Sequence, residues 1–112
     1  MKTIIAVIRP HRADAVKNAV KDAGSQGMIL SEVRGFGRQK GRRELYRGKE
    51  YEIEFQPKTR IEMVVPNDHA DEVISSVIEA ARTGEVGDGK IFVLATENAH
   101  RVRTGETGVD AL

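Results

Sequence analysis

Gly87-Asp88-Gly89-Lys90, followed by Arg101 and Arg103, is a set of residue types suited to holding a polyanion. Glycine lets backbone N–H groups approach an oxygen closely, and a lysine adds a point charge. Arginines two positions apart project to the same side of an extended segment. Paired guanidinium forks match phosphate oxygens. Each charge-assisted hydrogen bond contributes roughly 1.5–3 kcal/mol net, so these cations, with Arg38, suffice to hold a nucleotide without any catalytic group. The run from Gly84 to Lys90 also matches G-x-x-x-x-G-K, but it is not a P-loop. Ile91 stands where a Ser or Thr must hold magnesium. A helical pattern precedes the run and a strand follows, the reverse of the order that aims a helix N-terminus at phosphate. Alone, the run reads as an ordinary helix-to-strand turn. The alternative for the two arginines is pairing with Glu97 and Glu106 on a solvated face. Their grouping with Lys90 and Arg38 favours the phosphate site.

Upstream, a polar stretch runs from Gly35 to Tyr51 between two strand-like segments. Loops longer than ~12–15 residues without secondary structure of their own are uncommon in compact domains and are usually functional or disordered. A long loop beside an anion site reads as the output of a sensor that displays its ligand state to a partner.

Composition narrows the classes. With 112 residues the chain is expected to be one domain, residues 1–112, with a modest core. Its 18 Lys and Arg against 17 Asp and Glu leave a net charge of +1, which argues against a bulk nucleic-acid or membrane binder. The absence of cysteine excludes disulfides and thiolate metal sites and is compatible with a cytoplasmic location. Lys2 leads into a short apolar run that Arg9 and Pro10 end, with no small-residue cleavage site, so no secretory leader is expected. No apolar run is long enough to span a bilayer. His11, His69 and His100 are scattered, without metal-ligand spacing.

The elements that must position these residues follow from periodicity. Thr3–Ile8 is a strand apolar on both faces. Ala13, Val16, Val20 and Ala23 recur at helical spacing, with Gly24 suited to the position past the helix end. Met28–Phe36 is a second strand. After the loop, Thr59, Ile61, Met63 and Val65 alternate with Arg60, Glu62 and Val64 as a third, closed by Pro66. Asn67 or Asp68 is placed to cap a helix whose stripe is Ala70, Val73, Ile74, Val77, Ile78 and Ala81, and which Gly84 ends. Ile91–Ala95 is a fourth strand. Val102 lies in a short basic segment that reads as a last strand or edge. The order βαββαβ with right-handed crossovers predicts an α+β, ferredoxin-like fold: an antiparallel four-stranded sheet, both helices on one face, and a long loop between strands 2 and 3. The other face is apolar and needs a cover. Another subunit is the simplest, since the tail is polar up to Gly108, so a closed homo-oligomer is expected.

Several strings, in this order and spacing, resemble the PII nitrogen-signalling family nearly end to end. They are Arg34-Gly35-Phe36-Gly37-Arg38-Gln39-Lys40-Gly41, Tyr46-Arg47-Gly48, Glu50-Tyr51, Ala80-Ala81-Arg82-Thr83-Gly84, Gly87 to Val93, and Arg101 to Gly108. The resemblance implies a compact homotrimer in which ATP and ADP compete for three clefts between subunits. It implies that Gly87, Asp88, Gly89 and Lys90 hold phosphates from one subunit, that Arg101 and Arg103 complete the site, and that Arg38 approaches from the loop base. Gly35, Phe36, Gly37 and Val64 line the nucleotide. It further implies a magnesium ion on the ATP phosphates with Gln39 as ligand, and 2-oxoglutarate chelating that metal beside Lys40, Gly41 and Gly87 while Lys58 pairs with its distal carboxylate. A hard cation takes oxygen ligands and keeps open positions for small chelators. A metal ligand on the loop couples effector to loop shape, and such coupling is reciprocal.

By the same resemblance residues 37–55 form the partner-binding loop, which docks on ammonium transporters, nitrogen-metabolism enzymes and modifying enzymes. Tyr46, Arg47 and Tyr51 are its contact residues, with Arg47 at the tip and Tyr51 matching a uridylylation or adenylylation target. The chain departs from relatives at Lys49, where some carry a phosphorylatable serine, and at Ile29, where many carry a threonine near the adenine. Arg42 and Arg43 make the loop more basic. The leading expectation is a non-catalytic, ligand-gated regulator. The alternative is a nucleotide-hydrolysing enzyme, for which only Glu62 and Glu106 offer a general base. An RNA-recognition domain ranks lower, because such domains stack bases on sheet aromatics, whereas both tyrosines here fall in the loop.

Overall fold

The computed structural model describes residues 1–36, 43–46, 49–52 and 55–112, the two short stretches as backbone. Their elements, in chain order, are β1 (Lys2–Ile8), α1 (Ala13–Asp22), β2 (Ile29–Gly35), β3 (Arg43–Tyr46), β4 (Lys49–Glu52), β5 (Gln56–Val65), α2 (Asn67–Ala81) and β6 (Gly89–Ala95). Short 3-10 turns occupy Pro10–Arg12 and Gly108–Ala111. The main sheet has the order β2-β5-β1-β6, antiparallel throughout. This is the expected ferredoxin-like arrangement.

Alternation decides the two faces. Ile4, Ala6 and Ile8 of β1 and Ile61, Met63 and Val65 of β5 are buried with Val16 and Val20 of α1 and Ala70, Val73, Val77 and Ala81 of α2. Those twelve residues form the core between sheet and helices. Ile78, expected in the α2 stripe, is 39 % exposed, because it sits at the stripe's margin and faces edge strand β6. The opposite face carries Ile5, Val7, Val33, Val64, Ile29, Phe92 and Leu94, with Ile5 paired to Phe92 and the rest set opposite Thr3, Lys58, Arg60, Glu62 and Lys90. Ile29, Phe92 and Leu94 are 66 %, 50 % and 47 % exposed, so nothing among the described residues covers that face.

Element ends differ from the sequence pattern in instructive ways. β5 begins at Gln56 rather than Thr59. Its pairing with β1 stops at Ile8↔Thr59, so Pro57 is paired on the β2 side alone. A residue without an N–H is tolerated there. Helix α2 starts at Asn67 with Pro66 as its N-cap, and no side chain caps it. It ends at Ala81, where Arg82 N donates to Ile78 O, so Gly84 lies beyond the end instead of making it. Helix α1 closes as expected. Gly24 has φ 90° and donates to Lys21 O, and Ser25 N donates to Val20 O. That pair of bonds needs a left-handed residue, which glycine supplies.

Two segments depart from expectation more fully. The long loop contains secondary structure: β3 and β4 pair as a hairpin from Arg43↔Glu52 to Tyr46↔Lys49. The basic segment around Val102 is a turn, not a strand. His100 and Thr107 form an isolated bridge, and Arg101 N donates to Glu106 O while Gly105 N returns to Arg101 O.

Candidate functional site

One end of the sheet gathers a cavity of about 760 Å³. Its walls are the end of β1 (Val7), the end of β2 with the next residue (Gly35, Phe36), the start of β5 (Gln56, Lys58), and the turn into β6 (Val86, Gly87, Gly89, Lys90, Phe92). The register explains the convergence: Ile8 pairs with both Thr59 and Gly89, and Val33 with Lys58. Gly35, Phe36, Lys58, Gly87, Gly89 and Lys90, all candidates from the sequence, therefore meet at one place.

The turn between α2 and β6 is tightly held. Asp88 Oδ1 accepts from Arg9 Nε at 3.0 Å and from the Thr83 hydroxyl. Its Oδ2 accepts from the Thr83 and Gly84 backbone N–H groups, each at 2.8 Å. The Thr83 hydroxyl, and after it the Thr83 N–H, Arg9 and the Gly84 N–H, hold the Asp88 carboxyl well below the usual carboxylate range, against a partial burial that opposes them. Arg9 Nη2 also donates to Val86 O at 2.7 Å, and Lys58 Nζ to Gly87 O at 2.7 Å. Burial pulls the Lys58 ammonium below its ordinary pKa; Arg9 acts in the same direction and Asp88 opposes both.

Gly89 is the strictest position. Its φ is 110°, and a Cβ built there would lie 1.8 Å from Val7 O. Only a residue without a side chain permits β6 to pair with β1 at this point. The Lys90 side chain makes no hydrogen bond or ion pair among the described residues, and Phe36, edge-on to Phe55 at 5.4 Å, is 71 % exposed. The site thus offers an exposed cation, an aromatic ring and a fixed glycine turn. That combination suits an anion with an apolar part; among the described residues it contains no nucleophile–base pair.

The remaining candidates fall elsewhere. Val64 lines a different cavity of about 420 Å³ with Gly24, Gln26, His69, Val109 and Leu112. Lys58 and Val64 are six residues apart on β5, which separates them by roughly 20 Å. Arg101 belongs to the Val64 end: its Nη2 donates to Leu112 O at 2.8 Å and its Nη1 to Glu106 Oε1 at 3.0 Å. So the Glu106 pairing expected as the alternative is present for Arg101, while Glu97 takes no part among the described residues. Arg103 lies in the exposed 102–104 turn, so the two arginines do not share one face of a strand as the spacing predicted. Within one chain neither reaches the Lys58 cavity. Gly37, Arg38, Gln39, Lys40, Gly41 and Arg47 lie outside the described residues. Tyr46 and Tyr51 are described as hairpin backbone alone.

Arg9 and Thr83 are the residues that sequence reasoning passed over. Arg9 served there as a strand terminator, and nothing local links it to a partner 79 positions away. The Thr83-to-Asp88 interval was the one available signal, and it is weak. Among the described residues no three His, Asp or Glu side chains converge as a metal cage. A metal at this cavity would need oxygens from a bound phosphate.

The family described as Nitrogen regulatory protein P-II matches residues 1–106. The chain is 54 % identical over 112 residues to "Nitrogen regulatory protein P-II" of Rhodobacter capsulatus, covering 100 % of both chains. The proteins of the same name from Haemophilus influenzae and Nostoc punctiforme are each 53 % identical, again over the full length of both.

Proposed function

The chain belongs to the nitrogen regulatory protein P-II family, a family of regulators rather than catalysts, and we propose that it reports nitrogen, carbon and energy status by binding ATP or ADP together with 2-oxoglutarate. The observation that carries this reading is the division of the candidate site between the two ends of one sheet. Gly87, Gly89, Lys90 and Lys58 line one cavity, while Val64 and Arg101 belong to the other end. A nucleotide touching both sets must lie between two copies of the chain, which fits a homotrimer closed over the uncovered apolar face. Burying Ile29, Phe92 and Leu94 there removes apolar surface from water at roughly 25 cal/mol per Å².

In this reading Lys90 and the glycine turn take phosphates, and Arg101 and Arg103 arrive from a neighbouring subunit. Lys58 takes the distal carboxylate of 2-oxoglutarate. Magnesium sits on the ATP phosphates with Gln39 as a ligand and supplies the chelating centre for the keto acid. Residues 37–55 carry the ligand state to an ammonium transporter or a nitrogen-metabolism enzyme, through Tyr46 and Arg47, with Tyr51 available for nucleotidylation. The hydrolase alternative gains nothing from the geometry. Glu62 is paired with Arg60 at 3.4 Å and Glu106 with Arg101, and neither lines the Lys58 cavity.

The test is a calorimetric titration of 2-oxoglutarate against the chain alone, with ADP, and with magnesium and ATP. Tight binding in the last condition alone is expected. Equal affinity in all three refutes the metal-bridged reading, and a monomeric mass in sedimentation refutes the shared cleft.

A further inference from the structure

We propose that Arg9, Thr83 and Asp88 form a clasp that pre-sets the turn from Gly84 to Lys90 for phosphate, with the Asp88 side chain in a positioning role and its carboxylate touching no ligand. This rests on the nucleotide reading above and adds to it an explanation for an awkward feature. An acidic side chain in the middle of a polyanion site should repel its ligand. Here the Asp88 carboxylate receives four hydrogen bonds, two on each oxygen. A carboxylate has about four lone-pair sites, so no acceptor direction is left over for a metal or a ligand donor. Its charge is offset by the Arg9 guanidinium at 3.0 Å.

The same turn has a second group of oxygens to silence. The carbonyls of Val86 and Gly87 are successive, and a carbonyl facing phosphate is repulsive. Arg9 holds the first and Lys58 the second, both at 2.7 Å. Arg9 thus bridges the Asp88 carboxylate and a backbone carbonyl with one planar fork, a geometry that lysine does not reproduce. Thr83 closes the ring, since its hydroxyl donates to Asp88 and accepts from Glu85 N at 3.2 Å. With Gly89 fixed against Val7 O, the turn is ordered before any ligand arrives, and the ordering cost does not fall on binding. The Nζ that holds Gly87 O is the same group that the reading above sets against a ligand carboxylate. An acidic ligand at Lys58 and a phosphate at the turn are then mechanically linked through one carbonyl.

The experiment measures ATP and AMP binding calorimetrically for the intact chain and for Asp88→Asn, Arg9→Gln, Thr83→Val and Thr83→Ser, with thermal unfolding of each. ATP affinity is expected to fall about tenfold in Asp88→Asn, Arg9→Gln and Thr83→Val, one lost charge-assisted contact's worth. Thr83→Ser, which keeps the hydroxyl, stays within about twofold. AMP, which lacks the outer phosphates, loses less than ATP. If Asp88→Asn does not fold, Arg9→Gln and Thr83→Val decide the matter. Folded variants of those two with unchanged ATP affinity, or with equal losses for ATP and AMP, overturn the clasp and leave the nucleotide reading standing. An unsubstituted chain that binds no ATP overturns that reading, and the clasp with it.

Discussion

The two ends of the sheet are built differently. At the Lys58 end the oxygens of the turn are already held: Asp88 by four donors, Val86 O by Arg9, Gly87 O by Lys58. At the Val64 end Arg101 is held through Glu106 and Leu112 O, but the next residue, Val102, is 100 % exposed, and Arg103 projects from the same turn. One end is a turn held in place by groups of its own chain. The other presents an apolar residue and a cation outward. The shared cleft proposed above needs both: a pre-formed socket on one face and a reaching pair of groups on the other.

The sharpest way to break this contrast is at Gly89. An alanine there must shift the Val7 carbonyl or abandon φ 110°, so Gly89→Ala is expected to cost about 3 kcal/mol of folding stability, read by denaturant unfolding. A loss under about 1 kcal/mol would show that the socket is less rigid than described. The next effect is at Lys58. Lys58→Ala should weaken 2-oxoglutarate about 30-fold in calorimetry by removing a charge-assisted contact, while ATP falls only a few-fold. Equal losses for both ligands would place Lys58 in the frame alone.

Arg103→Ala tests the reaching end. Its side chain makes no hydrogen bond among the described residues, so subunit stability should stay within ±0.5 kcal/mol while ATP affinity drops about tenfold. Arg101→Ala differs, because it also releases Glu106 and Leu112 O, and its melting temperature should fall. Parallel behaviour of the two variants would erase the distinction between them.

The smallest expected effect is on pH dependence. The folded Asp88 carboxyl titrates well below its unfolded value, near 3.9 for an ordinary Asp. Its contribution to stability is therefore complete above about pH 5 and is lost as pH falls toward the folded pKa. The stability gap between the unsubstituted chain and Asp88→Asn should be constant from neutral pH to about pH 5 and shrink below about pH 4. A gap that closes between pH 5 and 7 would point to a different titrating group.

Much of the scaffold was legible because burial is periodic. The alternation of Thr59, Ile61, Met63 and Val65 against Arg60, Glu62 and Val64 maps directly onto the helix side and open side of β5. Ala70, Val73, Val77 and Ala81 are the buried stripe of α2, as their spacing required. The hairpin Arg43–Tyr46/Lys49–Glu52 was not legible, since its strands are too polar to show alternation. The turn at 102–104 was misread because Arg-Val-Arg has strand periodicity over three residues, too short a window to outweigh Thr104 and Gly105.

The amino-acid order alone determined the four strands of the main sheet, the two helices and the apolar side chains left on the sheet's open face, because each depends on local periodicity. Only the tertiary structure decided which charges meet. Arg9 and Asp88 are 79 positions apart, and Lys58 and Gly87 are 29 apart. They become neighbours because β1, β5 and β6 end at the same edge of one sheet. Crossover connections carry no periodic signature, so the partners they deliver are visible in three dimensions and not in one.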